Sequence, residues 1–462
     1  MTKIRDAKLT IPAAAGWSAL AIASFHLAYG IPFFSFTILL YLVCLYKLSR
    51  LNSGRKAFYF GLATGLAIYA PQLNFFWTIF GGAAIALWLV LAFWIGLFVL
   101  IAHLTYRHLG IVWAACLAPF QWTALEYFRS ELYYLRFSWL NVGYAFQQGL
   151  EHIGWLGVYG IGFVLMAAVA MASLLASKRA TLLTSSLFAG LFAVGNMPMT
   201  SSPSQTPESQ LNVAGVQLEF PSDAEVLKAL NSLIKKHPDT DIFMLSEYTF
   251  LEPVPETIKD WCRTHRRHLV VGATDPVGDT NYYNTAFVIG PEGTIVFKQA
   301  KSVPIQFFKD GLPAASQEVW DSPWGKLGLG VCYDMSYRRV MDRLIQKGAQ
   351  ALLLPTMDVI EWGRHQHELH GRIGPVRAAE YRIPIFRVCS SGISQIISAN
   401  GHVEASSPFP GEGETITGTL LLPSKGRLPW DCWITPAAIG VTSISLLAMG
   451  AVHWRKKPSK LS

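Results

Sequence analysis

Residues 327–334 read LGLGVCYD: a short apolar run, opened by glycines, that ends on Cys332 and then turns polar at Asp334. A run of this length predicts a buried β-strand that delivers a thiol at its end. Further apolar runs flank it at 211–217, 242–245, 269–272, 285–289, 351–354, 385–388 and 393–397. Helical patterns lie at 223–236, 254–266, 335–347 and 366–382. Strands alternating with helices predict a layered α/β fold. Two more segments, one following an apolar strand and one following a strand and a Gly turn, carry chemically active groups. FMLSEYT (243–249) carries Glu247, and FKQAKSVP (297–304) carries Lys298 and Lys301. Strand ends are where open α/β sheets tend to place ligands.

Outside this region the composition changes. Across all 462 residues 52% are hydrophobic and 15% charged, against about 25% charged in an ordinary soluble protein. Apolar segments near 11–28, 31–48, 57–75, 80–104, 109–128, 152–176, 180–198 and 433–453 approach the roughly 20 residues that cross a bilayer as a helix. The expected organisation is a membrane domain over 1–198 with seven transmembrane helices, a Ser/Pro-rich linker over 199–210, an α/β domain over 211–430, and a final helix with a basic tail over 431–462. Lys3, Arg5 and Lys8, then Lys47, Arg50, Arg55 and Lys56, then Arg107, then Lys178 and Arg179, and finally Arg455, Lys456, Lys457 and Lys460 mark every second loop as basic. By the positive-inside rule these loops face the cytoplasm and the α/β domain faces away from it.

The net charge of +8 is spread over these loops and forms no basic face, which argues against nucleic acid. Cys44, Cys116, Cys262, Cys332, Cys389 and Cys432 show no CxxC or zinc spacing. Separate thiols are the expectation, with a Cys262–Cys389 or Cys389–Cys432 bridge open in an oxidising compartment. His365, His367 and His370 lie close together without an acidic ligand pattern, so no metal and no cofactor are expected, and their helix is placed at the mouth of the site.

Glu247, Lys301 and Cys332 make a complete covalent catalyst if they meet. The thiolate is the reactive form of cysteine. A carboxylate can take its proton and return it to a leaving group, and an ammonium can stabilise a tetrahedral oxyanion in a dry site. Taken singly, each has a plainer reading, as a buried small residue, a cap and a solvated charge; order and spacing carry the argument.

With the surroundings included, the chain resembles the nitrilase superfamily. The hairpin NYYNTAFVIGPEG (281–293), the strand VCYD (331–334), LLPTMD (353–358), the helix RAAEYRIP (377–384) and the segments 391–394 and 398–401 match that pattern. In the first half, LNFFW (73–77) and SWLNVGY (138–144), and later Gln217 and Asp358 with Trp362, resemble the bacterial apolipoprotein N-acyltransferase family. The resemblance implies seven leading spans and one trailing span around a nitrilase-like αββα sandwich, in a bacterial inner membrane with the catalytic domain periplasmic. It implies transfer of a fatty acyl chain from a phospholipid, through a thioester on Cys332, to the α-amine of a lipoprotein's lipid-modified N-terminal cysteine. Catalysis would rest on Glu247, Lys301 and Cys332, and substrate contacts on Tyr333, Asp334, Trp362 and Tyr144.

The chain departs from the family pattern in four places. Lys298 competes with Lys301 for the catalytic position. No glutamate follows Pro304 to position the lysine, leaving Gln306 or Asp310; Asp334 stands for a glutamate, and Met357 for an asparagine. A membrane-anchored amidase, an acyltransferase for another amine, and a non-catalytic binding protein remain as alternative readings.

Overall fold

The computed structural model describes residues 9–175, 177–197 and 207–455. Lys3, Arg5, Lys8, positions 199–206 of the expected linker, and Lys456, Lys457 and Lys460 lie outside the described residues. The chain divides into two compact units. One comprises Met1–Gly149, Leu156–Pro198 and Trp430–Ser462; the other comprises Leu150–Trp155 and Met199–Pro429.

The first unit is helical. Its helices are α1 (Ile11–Gly30), α2 (Ile38–Leu48), α3 (Gly54–Gln72), α4 (Phe75–Phe80) and α5 (Ala83–Tyr127). The short α6 (Leu150–Ile153) belongs to the second unit, and α7 (Val158–Ala172) and α8 (Ser177–Gly195) return to the first. Among the described residues three helical stretches, Ile11–Gly30, Ala83–Leu132 and Asp431–Ala451, are long and apolar enough to cross a membrane. The segments expected at 80–104 and 109–128 form the single element α5, interrupted where Gly110 takes φ 85°, a left-handed value that glycine reaches without steric cost. The segment expected at 31–48 opens as a 3-10 turn over Pro32–Thr37 before α2 begins. Glycines set the spacing of α3 and α5: a Cβ on Gly61 would lie 2.9 Å from Gly96 Cα, and one on Gly65 2.9 Å from Ala92 Cα. Small residues of this kind let helix backbones approach where no hydrophobic gradient drives packing.

The second unit is a sandwich of two six-stranded sheets. Its strands are β1 (Ser209–Val216), β2 (Ile242–Met244), β3 (His268–Val277), β4 (Asn281–Ile289), β5 (Ile295–Ala300), β6 (Val319–Ser322), β7 (Gly325–Leu329), β8 (Ala351–Thr356), β9 (Ile385–Cys389), β10 (Gln395–Ile397), β11 (Val403–Ser406) and β12 (Thr415–Leu422). The orders are β12-β1-β2-β3-β4-β5 and β11-β10-β9-β8-β7-β6. Strands β1, β2 and β3 run parallel, so each step needs a crossover. Helices α9 (Asp223–Lys236) and α10 (Glu256–His265) supply them. Ser222 and Glu225 close a capping box on α9. Val226, Leu230 and Leu233 of α9 and Ile258, Trp261 and Cys262 of α10 pack into one core with Ala214, Phe243, Leu269 and Phe287 of the sheet.

In the other sheet β7, β8 and β9 are parallel and are linked through α11 (Arg338–Gln346), α12 (Arg364–Gly371) and α13 (Ile373–Tyr381). The helix expected at 366–382 is two helices. Pro375 has no N–H to continue the ladder, and Gly371 and Gly374 loosen the same turn. The sheets touch closely at Gly215, where an added Cβ would lie 2.5 Å from Val388 Cγ2. Strands β5, β6, β11 and β12 were not among the expected runs; all four are sheet edges and only partly buried, so their apolar alternation is weak. The final helix, α14 (Asp431–Arg455), returns to the first unit. All six cysteines are free thiols, so neither open bridge forms.

Candidate active site

Three strand ends of the second unit meet in a buried cluster. Glu247 follows β2, Lys301 follows β5 and Cys332 follows β7. All three are almost fully buried. The Lys301 Nζ donates to Glu247 Oε1 at 2.8 Å and pairs with Asp310 Oδ2 at 2.8 Å. Asn284 of β4 lies between the two carboxylates, its amide donating to Glu247 Oε1 at 2.6 Å and to Asp310 Oδ1 at 2.8 Å. Its carbonyl accepts from the Lys301 N–H at 2.8 Å. Ile305 N–H at 2.7 Å and the Tyr248 hydroxyl at 3.1 Å complete the partners of Asp310. Asp310 is therefore the second carboxylate on the lysine; it lies six residues after Pro304, beyond the place where the family resemblance implies a glutamate, and reaches back because the 301–310 loop folds over on itself.

Lys298 lies apart from this cluster. Its side chain is 55% exposed and pairs with Asp275 at 2.6 Å on the outer face of the sheet. Alternation along β5 separates the two lysines, since successive side chains point to opposite faces.

Cys332 takes φ +49°, a left-handed backbone that non-glycine residues adopt at a cost of about 1–3 kcal/mol and that clusters at functional sites. Its thiol faces the Met357 carbonyl at 3.6 Å and lies beside the Glu247 carboxylate. The Met357 N–H donates to Glu247 Oε2 at 2.7 Å. The backbone of Met357 thus contacts both the thiol, through its C=O, and the carboxylate, through its N–H. Because the backbone of Met357 does this, a methionine at that position leaves the contact intact.

The charges follow from burial. Burial, countered by Lys301 and reinforced by Asp310, leaves the Glu247 carboxyl above its ordinary range. Burial alone would lower Lys301, but Asp310 and Glu247 override it and hold the ammonium well above its usual value. Burial first, then the Glu247 carboxylate, push the Cys332 thiol well up, with Lys301 pulling less strongly the other way. The resting cluster is a neutral thiol beside the Glu247 carboxyl group and a firmly charged ammonium. Such a thiol becomes nucleophilic when the carboxylate takes its proton during attack.

The expected contact residues separate. Asp334 is enclosed. It accepts from the N–H groups of Ser302 (3.0 and 3.1 Å), Val303 (2.8 Å) and Val331 (3.1 Å). Burial pushes its carboxyl up to about 6, with those N–H groups opposing. It ties the lysine loop to the cysteine turn, as a clamp between these two segments. Tyr333 is buried against Tyr337 at 4.9 Å between ring centroids. Trp362 is half-buried beside Phe308 at 6.2 Å. Tyr144 is buried within the helical unit.

A second buried cluster adjoins Cys332 and was not foreseen as such. Asp358 accepts from Arg387 Nη2 at 2.5 Å and from Gln366 at 2.8 Å, and its oxygens lie 2.8 and 3.0 Å from His370 Nδ1. Polar side-chain atoms of Cys332, Asp358 and His370 all fall within 4.8 Å of one another. Cysteine, carboxylate and imidazole are metal-ligand types, but the Arg387 guanidinium lies on both Asp358 and His370, and a fixed positive charge there opposes a cation. His367 turns away, to Gly363 C=O at 2.9 Å and to Asp358 C=O and Ser391 Oγ, both at 3.1 Å. The histidine spacing in the sequence was the available signal; its meaning depended on β9 bringing Arg387 alongside.

Comparison with known proteins follows the same division. Residues 15–173 match the family model described as the apolipoprotein N-acyltransferase N-terminal domain, and residues 238–426 match that described as carbon-nitrogen hydrolase. Three curated relatives are called apolipoprotein N-acyltransferase. That of Bdellovibrio bacteriovorus is 27% identical over 272 residues, covering 48% of this chain and 47% of its own length. That of Geobacter metallireducens is 24% identical, with 77% and 79% covered. That of Shewanella oneidensis is 23% identical, with 90% of each covered.

Proposed function

We propose that this chain, which carries the apolipoprotein N-acyltransferase N-terminal domain together with a carbon-nitrogen hydrolase domain, transfers a fatty acyl chain from a phospholipid to the α-amine of a lipoprotein's lipid-modified N-terminal cysteine. It is an enzyme of the nitrilase superfamily with bacterial N-acyltransferase relatives. The observation that carries the proposed transfer is the buried grouping of Glu247, Lys301 and Cys332 in a chain whose first half is apolar helix.

In the first half-reaction Glu247 takes the thiol proton as Cys332 Sγ attacks the ester carbonyl. Lys301, fixed by Asp310, supports the oxyanion. The C–O bond breaks, Glu247 returns the proton to the departing alcohol of the lysophospholipid, and a thioester remains. In the second half-reaction the neutral amine nitrogen attacks that carbonyl, the N–C bond forms, the C–S bond breaks, and Glu247 carries a proton from the nitrogen to the sulfur, restoring the thiol. Both substrates are lipids, which suits an enzyme embedded in the inner membrane. The basic alternate loops support a catalytic domain on the periplasmic side.

The test is incubation of purified protein with acyl-labelled phospholipid, followed by mass spectrometry of the Cys332 peptide. Label on Cys332 that moves to a diacylated lipopeptide is the expected result. Label discharged by water alone favours an amidase-type hydrolase, and absence of label removes the thioester.

Gly272 gives an independent check on Glu247. A Cβ there would lie 2.5 Å from Glu247 Cα and 2.8 Å from both Ser246 O and Tyr248 N. Gly272→Ala must therefore displace the Glu247 backbone. Since misplacement on the ångström scale costs about 10²-fold in rate, acyl-enzyme formation is expected to slow by about that factor while the protein stays folded. An unchanged rate constant would show that Glu247 tolerates displacement and is not the thiol's base.

A further inference from the structure

Glu247 and Cys332 come from different sheets. Glu247 follows β2 of the sheet ordered β12-β1-β2-β3-β4-β5, and Cys332 follows β7 of the other. Their separation is therefore set by whatever joins the two sheets at this point. Met357 is such a join: its N–H donates to Glu247 Oε2 at 2.7 Å, and its C=O faces the Cys332 thiol at 3.6 Å. Met357 stands one residue beyond β8, whose ladder with β9 ends at Thr356 and Cys389. Past that point no strand pairing holds the main chain of residues 357 and 358, and a buried N–H or C=O left alone is costly.

Side chains take over from the ladder. The peptide between Met357 and Asp358 carries the carbonyl that faces the thiol, and its N–H, on Asp358, donates to Ser390 Oγ at 3.2 Å. The Ser390 hydroxyl donates in turn to the Asp358 C=O at 2.9 Å, and Ser391 Oγ donates to the same oxygen at 2.6 Å. The Asp358 carboxylate is held from β9 by Arg387 at 2.5 Å and from α12 by Gln366 at 2.8 Å, with His370 Nδ1 at 2.8 and 3.0 Å. Arg387 is itself fixed, since its Nη1 donates to the Ile393 C=O at 2.6 Å. Asp358, Ser390 and Arg387 are fully buried. Every polar atom of Asp358 is thus engaged by the protein, and none is left to bind substrate.

We propose that Asp358 and Ser390 are positioning residues for acyl transfer, fixing the 357–358 main chain that sets Glu247 against Cys332 across the sandwich. The inference rests on the acyl-transfer reading above. Both half-reactions use the same carboxylate and the same sulfur, so a shift of this main chain slows both by the same factor. The half-saturating concentrations of phospholipid and lipopeptide should stay where they are, because neither residue touches substrate. Asp358→Asn keeps the shape but turns one oxygen into an NH2 group, which then meets the donors of Arg387 or Gln366. Misplacement on the ångström scale costs about 10²-fold, and that loss is expected in each step. Ser390→Ala removes a single hydroxyl while Ser391 and His367 still hold the Asp358 C=O, so a loss of about tenfold is expected in each step.

The experiment uses the full chain in detergent, first charged from acyl-labelled phospholipid and then mixed with a diacylated lipopeptide. Single turnovers give two quantities for each step: the rate constant and the fraction of protein that reacts. The expected result is rate constants lowered alike in both steps, at an unchanged reacting fraction. A purely structural role would instead lower the fraction and leave the rate constants alone. Should Asp358→Asn misfold, Ser390→Ala decides. In that variant unchanged rate constants, a loss confined to one step, or a shifted half-saturating concentration of either substrate would overturn the inference while leaving the acyl-transfer reading intact. Failure of the wild type to form acyl-enzyme would overturn both.

Discussion

Cys332→Ala is expected to eliminate the acyl-enzyme and to lower transfer by more than about 10⁴-fold, the scale on which removal of a covalent nucleophile acts. The stability cost should be small. The side chain lost is one sulfur, alanine meets the same left-handed backbone at φ +49°, and the thiol's one carbonyl partner at 3.6 Å is distant. The variant should therefore fold, retain the Lys301 pairs with Glu247 and Asp310, and bind donor lipid without turning it over. Cys332→Ser is expected to be nearly as inactive. A hydroxyl is a far weaker acid than a thiol, and Glu247 is already a carboxylate that burial has made reluctant to stay charged, so neither partner gains from the exchange. The measurement is acyl label on the 332 peptide together with label in the lipopeptide. Substantial transfer by Cys332→Ala would mean that the acceptor attacks the phospholipid directly.

The sequence made the strand ends legible because each is a short apolar run that stops at a polar group. Leu327–Val331, Ile242–Leu245 and the run before Lys301 carry that signal locally, and the buried cluster is their sum. What it did not reveal depends on distant pairing. Asp310 is nine residues beyond Lys301, and only the fold of the loop brings its carboxylate to the ammonium. The choice between Lys298 and Lys301 turns on which face of β5 is inside, a question of register against β4. Asp334 reads as a contact residue from its place after Cys-Tyr, yet its oxygens are consumed by backbone N–H groups of the lysine loop. Arg387, 29 residues away from Asp358, reaches it only through the pairing of β8 with β9. In the helical half, apolar length is readable, but the break at Gly110 and the 3-10 entry to α2 are backbone choices that hydropathy does not carry.

Lys301→Met tests the electrostatic core of the site, and its effect should be as large on stability as on rate. The ammonium is 1% exposed and lies 2.8 Å from both Glu247 and Asp310. Methionine preserves most of the volume but leaves two buried carboxylates bridged only by Asn284. Breaking a buried pair by removing one partner costs about 3–5 kcal/mol. Two carboxylates sharing a site cannot both stay ionised without penalty, so one of them will bind a proton more tightly in the folded state than in the unfolded one. The folded variant then holds more protons than its unfolded form at neutral pH, and its stability must rise as pH falls toward the ordinary carboxylate range. In the wild-type protein the raised Glu247 carboxyl gives a dependence of the same sign, but the ammonium opposes it, so it is weaker there than in the variant. Cys262, fully buried among α10 and the first sheet, reports on the same domain within the intact chain. Its alkylation through transient opening is expected to be about 10²- to 10³-fold faster in Lys301→Met than in wild type at pH 8, and the gap should narrow at pH 5.5. Adding Asp310→Asn removes one of the two charges and should restore most of the protection without restoring acyl transfer, because the oxyanion still lacks its cation. If Lys301→Met is as well protected at pH 8 as at pH 5.5, the two carboxylates do not share the ammonium, and the lysine's place in the site has to be reassigned.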